Sequence, residues 1–159
     1  MISFINRQRR ERLEKAVICE LARQTAEVLG LSRFEISLVF VGDPVMQALN
    51  QQYRGIDKPT DVLSFPMIEL PSPYESAAAA QLKRFQVIEG DLLGEVVIST
   101  HTARRYAQEL NLTFPVEIKT LIIHGILHLR GYDHETDQGE MERLERKLRK
   151  QLITNQIDW

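Results

Sequence analysis

The chain has 159 residues, 43% apolar and 26% charged, with a formal net charge of −2; this is the balance of one globular domain with a substantial core. Such a charge argues against indiscriminate attraction to nucleic acid, although not against a local basic cleft. No apolar run approaches the ~20 residues of a membrane span, no apolar signal core follows the basic stretch at 7–12, and Cys19 is the single cysteine, so a cytoplasmic protein is expected.

In chain order, residues 1–5 read as a short strand. A helix is expected over about 8–29, with Leu13, Val17, Leu21 and Val28 as its apolar stripe and Gly30 as its stop. Residues 35–41 alternate Ile36, Leu38 and Phe40 with Ser37, Val39 and Val41, a strand buried on at least one face. Asp43 and Pro44 offer an N-cap and a first-turn proline for a helix reaching about residue 53. Residues 55–60 form a turn-rich loop, and 61–67 a strand whose Pro66 suits a sheet edge. An edge strand could hold an extended substrate. Between 69 and 89 the periodicity is lost, apart from a short helix near 77–85; this stretch reads as a surface insertion, with a loop that shades an active site as the alternative.

Residues 92–98 give another strand. Ser99 or Thr100 then caps a helix to about 110, with His101 in its first turn as a surface residue. Phe114 and Pro115 open an apolar helix, and Asp137 with Glu140 resembles a capping pair for a last helix to about 152. The glutamates of that helix, Glu145 among them, alternate with basic residues as on a solvated face.

Three of the four histidines fall in the run HGILHLRGYDH at 124–134. His124 and His128 share one helix face. Gly131 can end the helix in a left-handed conformation and return His134 toward them. Three neutral imidazoles suit a divalent transition metal, most naturally one Zn²⁺, and leave a fourth position for water, as in catalytic sites. The histidine and glycine spacing resembles the H-E-x-x-H-x-x-G-x-x-H pattern of metzincin peptidases. Gly125, however, stands where their general base is a glutamate, so peptidase chemistry loses its proton acceptor.

The same run resembles the H-G-x-L-H-L-x-G-Y-D-H signature of the YbeY family. LNQQYR at 49–54 followed by DKPTDVLSFP at 57–66, and GDLLGEVVIS at 90–99, are similar to two further family blocks. The resemblance implies a metal-dependent endoribonuclease of ribosomal RNA maturation, with His124, His128 and His134 on the metal and Arg54 contacting phosphate or the transition state. It implies ribosomal RNA as substrate, the small subunit and assembly factors as partners, and neither membrane nor nucleotide cofactor. The expected fold is α+β: one domain over 1–159, a small mixed sheet against the central metal-bearing helix with other helices around it, in a metzincin-like arrangement.

Zinc-bound water, with its pKa lowered to ~7, is the expected attacking group, although the RNA 2′-hydroxyl is an alternative. Asp133 is read either as an outer-shell partner of a ligand or as a cap for the turn. Two other functions stand beside this one. The first is a metal-stabilised ribosome-binding module. The second is a metallopeptidase using Glu95 or Asp133 in place of the missing glutamate.

Overall fold

The computed structural model describes residues 1–153 and Trp159. Its elements are β1 (Ile2–Asn6), α1 (Lys15–Val28), β2 (Glu35–Val41), α2 (Asp43–Arg54), β3 (Val62–Pro66), α3 (Ala78–Arg84), β4 (Leu92–Ser99), α4 (Thr100–Glu109), α5 (Phe114–Arg130) and α6 (Glu140–Leu152). The four strands lie in the order β1-β2-β4-β3, with β3 antiparallel to β4 and the other pairs parallel. This is the mixed sheet of an α+β domain. No single helix among the described residues is long and apolar enough to cross a membrane.

The alternation in β2 separates two cores. Ile36, Leu38 and Phe40 join the large cluster built on α1 and α5, whereas Val39 and Val41 meet Met46 of α2 on the other face. β2 is thus covered on both sides, as parallel strands usually are. Residue α5 has near its middle, Ile122, is fully buried, as are Ile118, Ile123, Ile126 and Leu127. The hydrophobic effect therefore seats this helix before any ligand contributes.

Two local expectations change. The first helix begins at Lys15, not near residue 8, because Gln8 ties the preceding segment into a turn. Its side-chain oxygen accepts the Glu11 N–H (2.8 Å), and its amide donates to Asn6 Oδ1 (3.1 Å) and to the Glu11 carbonyl (2.9 Å). Such side-chain bonds offer the backbone an alternative to helix. The buried stripe of α1 is consequently Ile18, Leu21, Ala22, Thr25 and Ala26, and Val28 is exposed.

Asp43 is the first residue of α2, and its side chain makes no cap bond there. Its carboxylate accepts hydrogen bonds from Ser99 Oγ, Thr102 Oγ1 and Arg105 Nη1, each at 2.7 Å. Although partial burial pushes the carboxyl upward, these donors outweigh it and pull the pKa down to about 2. The short helix expected near 77–85 forms as α3 within the 69–89 connection, so the order of elements is βαβαβαβααα.

Candidate metal centre

Thr113 accepts the Val116 N–H at the start of α5, and Pro115 occupies its first turn. At the other end Gly131 has φ +108°, its N–H reaches the His128 carbonyl (2.9 Å), and the Tyr132 N–H reaches that of Leu127 (3.1 Å). This pair of bonds is a Schellman closure, which reverses the chain within two residues. The reversal has two results at the site. It turns the Tyr132 carbonyl onto His128 Nδ1 (2.9 Å), and it brings the third histidine back to the first two. Ring centroids are 4.7 Å apart for His124–His128 and 5.2 Å from each of these to His134. One ligating atom from each ring can be chosen so that all three lie within 4.8 Å of one another.

The outward nitrogens fix the inward ones. A carbonyl oxygen can only accept, so His128 Nδ1 carries the proton. His124 Nδ1 lies 2.8 Å from the Glu145 carboxylate and donates to it. With both imidazoles neutral in these tautomers, the two Nε2 atoms present lone pairs, and they face each other at 3.1 Å. Two lone pairs at that distance repel, and a proton or a metal cation between them turns the contact attractive. A tetrahedral zinc with Zn–N bonds of 2.0–2.1 Å would space two ligands by about 3.3 Å. The donor set thus fits a metal. Burial, followed by repulsion from His124 and from His134, holds the His128 pKa below its ordinary value, which favours the neutral ring a metal needs.

Glu145 was read from the sequence as part of a solvated face. Its side chain is instead 17% exposed and turned onto His124. Nothing in the local sequence distinguishes it from Glu142, which pairs with Arg146 at the surface; only the docking of α6 on α5 selects it. Asp133 shows the capping role: Oδ1 accepts the Glu135 N–H (3.0 Å) and Oδ2 accepts from Thr136 Oγ1 (3.1 Å). The ring nitrogens of His124 and His128 are held by Glu145 and by the Tyr132 carbonyl instead.

The histidines open on a cleft of about 580 Å³ that Arg54, the last residue of α2, also lines. Asp61, Ser64, Asp133 and Glu135 share this lining. His101 stands apart from it, with Nδ1 accepting the Asp43 N–H (3.3 Å). Glu95 also lies elsewhere, in a groove with Ile5, Tyr53 and Phe65.

Gly125 explains the departure from the peptidase pattern. A Cβ there would lie 2.3 Å from Val96 Cγ1, and the Gly125 carbonyl accepts from Ser64 Oγ (3.0 Å). The position after the first ligand is pressed against the sheet, where a glutamate has no room.

β3 is an edge strand, as Pro66 suggested. Ser99 N–H bonds the Asp61 carbonyl and Met67 N–H bonds that of Leu93, each at 2.8 Å. Antiparallel alternation then directs the backbone groups of Val62, Ser64 and Pro66 away from β4. The ladder loses nothing by the proline.

A family model described as Endoribonuclease YbeY matches residues 3–153. The Endoribonuclease YbeY of Persephonella marina is 40% identical over 140 residues, covering 87% of this chain and 82% of that protein. The one from Aquifex aeolicus is 39% identical over 146 residues, covering 92% and 86%. The solution structure of TM1509 from Thermotoga maritima matches with a TM-score of 0.61 and 29% identity, over 96% of this chain and 89% of that one. By its histidine run, its mixed sheet and these matches, the chain belongs to the YbeY family.

Proposed function

We propose that this chain is a zinc-dependent endoribonuclease that cuts single-stranded segments of ribosomal RNA, working in the cytoplasm on small-subunit maturation and ribosome quality control. One observation carries the metal-dependent part: three histidine ligand atoms converge within 4.8 Å of one another, with the Nδ1 atoms of His124 and His128 already committed elsewhere. RNA as the substrate rests on the family's endoribonucleases.

When bound, a zinc ion lowers the pKa of water in its open position and polarises a phosphoryl oxygen. The chain's own residues supply the rest. Arg54, in the lining of the same cleft, offers a planar pair of N–H donors to a phosphate. The lining holds three carboxylates against this one guanidinium, so without a divalent cation the cleft would repel a phosphodiester. Along the edge of β3, the outward Ser64 N–H and C=O can pair with the hydrogen-bonding edge of a base. Only an unpaired base presents that edge, which favours a single strand. Gly125 leaves no place for a peptidase base, and this favours RNA over peptide.

The test is cleavage of a single-stranded ribosomal RNA fragment by the zinc-loaded protein. His124→Ala should reduce cutting to background. Arg54→Ala should lower the rate by about 10²–10³-fold while zinc affinity stays unchanged. Equal cutting by chelator-stripped wild type would overturn the proposal.

A further inference from the structure

The connection between β3 and β4 reads from the sequence as a passive surface insertion, yet its first part is fastened to the turn that carries His134. Arg130, buried at the end of α5, donates through Nη1 to the Pro71 carbonyl (2.8 Å). Pro73 lies over Gly131, where a Cβ would sit 3.4 Å from its Cδ. The Tyr74 ring meets Tyr132 edge to face, with centroids 5.5 Å apart at 81°.

The Tyr74 hydroxyl makes the most specific contacts. It accepts the Asp133 N–H at 2.7 Å, on the residue next to His134. Its own proton goes to Asp137 Oδ2 at 3.2 Å, with the Asp133 carbonyl 3.4 Å away. Asp137 is in turn the N-terminal anchor of α6. Its Oδ1 accepts the Gly139 N–H (2.9 Å), and its Oδ2 accepts the Met141 N–H (2.8 Å). Five residues after Glu140 begins that helix, its Glu145 holds His124 Nδ1. One hydroxyl therefore touches both routes by which α5 receives help from outside itself: the turn that presents His134, and the helix that orients His124.

We propose that Tyr74 is a positioning residue for the metal centre, setting the affinity of the three-histidine site through the Asp133 N–H and the Asp137 carboxylate. This rests on the metal-binding reading above and is independent of what the enzyme cuts. Partners behind the ligands commonly tune metal affinity, since a ligand held in its binding orientation gives up less freedom when the ion arrives. Tyr74 is 42% exposed, so its loss removes little buried surface and leaves the core intact.

The test compares Tyr74→Phe, which keeps the ring against Tyr132 and deletes only the hydroxyl, with wild type and with Tyr74→Ala. Zinc affinity is read by competition with a chromophoric chelator, and ligand geometry by the visible absorption spectrum of the Co²⁺-loaded protein. Tyr74→Phe should bind zinc about tenfold more weakly, with an altered Co²⁺ spectrum and an unchanged melting temperature for the metal-free protein. Tyr74→Ala should be weaker still. Wild-type affinity and spectrum in Tyr74→Phe would overturn the proposal, as would a wild type that binds no zinc. Zinc-tight wild type that cuts no RNA would instead overturn the endoribonuclease reading and leave the role of Tyr74 standing.

Discussion

His124 and His128 are supported differently from His134. The first two project from a helix whose other faces are sealed by Ile118, Ile122, Ile126 and Leu127, so their Cα positions are fixed by the same burial that folds the domain. His134 is exposed and sits in a turn outside the helix. It is held by Asp133, by the Schellman closure at Gly131 and by the Tyr74 contacts. A pair built on the core supplies rigidity, while a ligand on a turn can adjust to the ion and leaves one side of it open. Catalytic metal sites need both properties.

The largest effects should come from removing ligands, and the two kinds should differ in character. His128→Ala should lower zinc affinity by at least about a hundredfold and abolish RNA cutting. His134→Ala should abolish cutting too, yet retain weak binding by the preorganised pair, visible by calorimetry. Equal binding losses in the two variants would remove the distinction between core and turn. Glu145→Gln tests the outer support of the rigid pair. It keeps the shape but replaces the carboxylate facing His124 Nδ1 with a neutral amide, and about a tenfold loss of zinc affinity is expected.

The seating of α5 is probed by Gly125→Ala. The added methyl meets Val96 of β4, itself fully buried, so the helix or the strand must shift. Overpacking of this kind costs about 1–3 kcal/mol, measurable by urea unfolding of the metal-free protein. Because both helix ligands ride on that seating, zinc affinity should fall as well. A neutral effect on stability would show that α5 is free to shift against β4 and is not rigidly seated.

The core-built half of the site is the half that the sequence displays. His124 and His128 are four apart within an apolar run, and Gly131 marks the stop, so local periodicity and one special residue suffice to place them. His134 could be placed as well, because the reversal is only a few residues long. What holds these rings is set by contacts distant in the chain. Glu145 is 21 residues from His124, and Tyr74 is 59 from Asp133; neither has a local pattern that separates it from an ordinary surface glutamate or loop tyrosine. The strand order has the same basis: alternation marks β2 as buried, but its place between β1 and β4 depends on crossovers that no short pattern records. Gln8 misleads for the opposite reason. Its surroundings have helical composition, yet three side-chain hydrogen bonds to near neighbours outweigh that weak preference.

The smallest predicted effect concerns Glu117, in the first turn of α5 and 5% exposed. Burial raises its carboxyl above the ordinary value of 4.5; the negative charge of Asp61 adds to this, Arg149 opposes it, and Glu145 adds a little more. A carboxyl with a raised pKa in the folded state favours folding fully below its unfolded value, and that contribution is lost as pH rises through the folded value. Glu117 should therefore weaken the native state progressively above pH 4.5. Glu117→Gln carries no such charge, so its stability relative to wild type should rise with pH over that range and then level off. Parallel urea titrations of the two metal-free proteins from pH 4 to 8 would show it. A constant difference across the range would mean that the folded protein holds the ionised carboxylate as comfortably as water does. In that case the buried start of α5 would be no more demanding than the turn that carries His134.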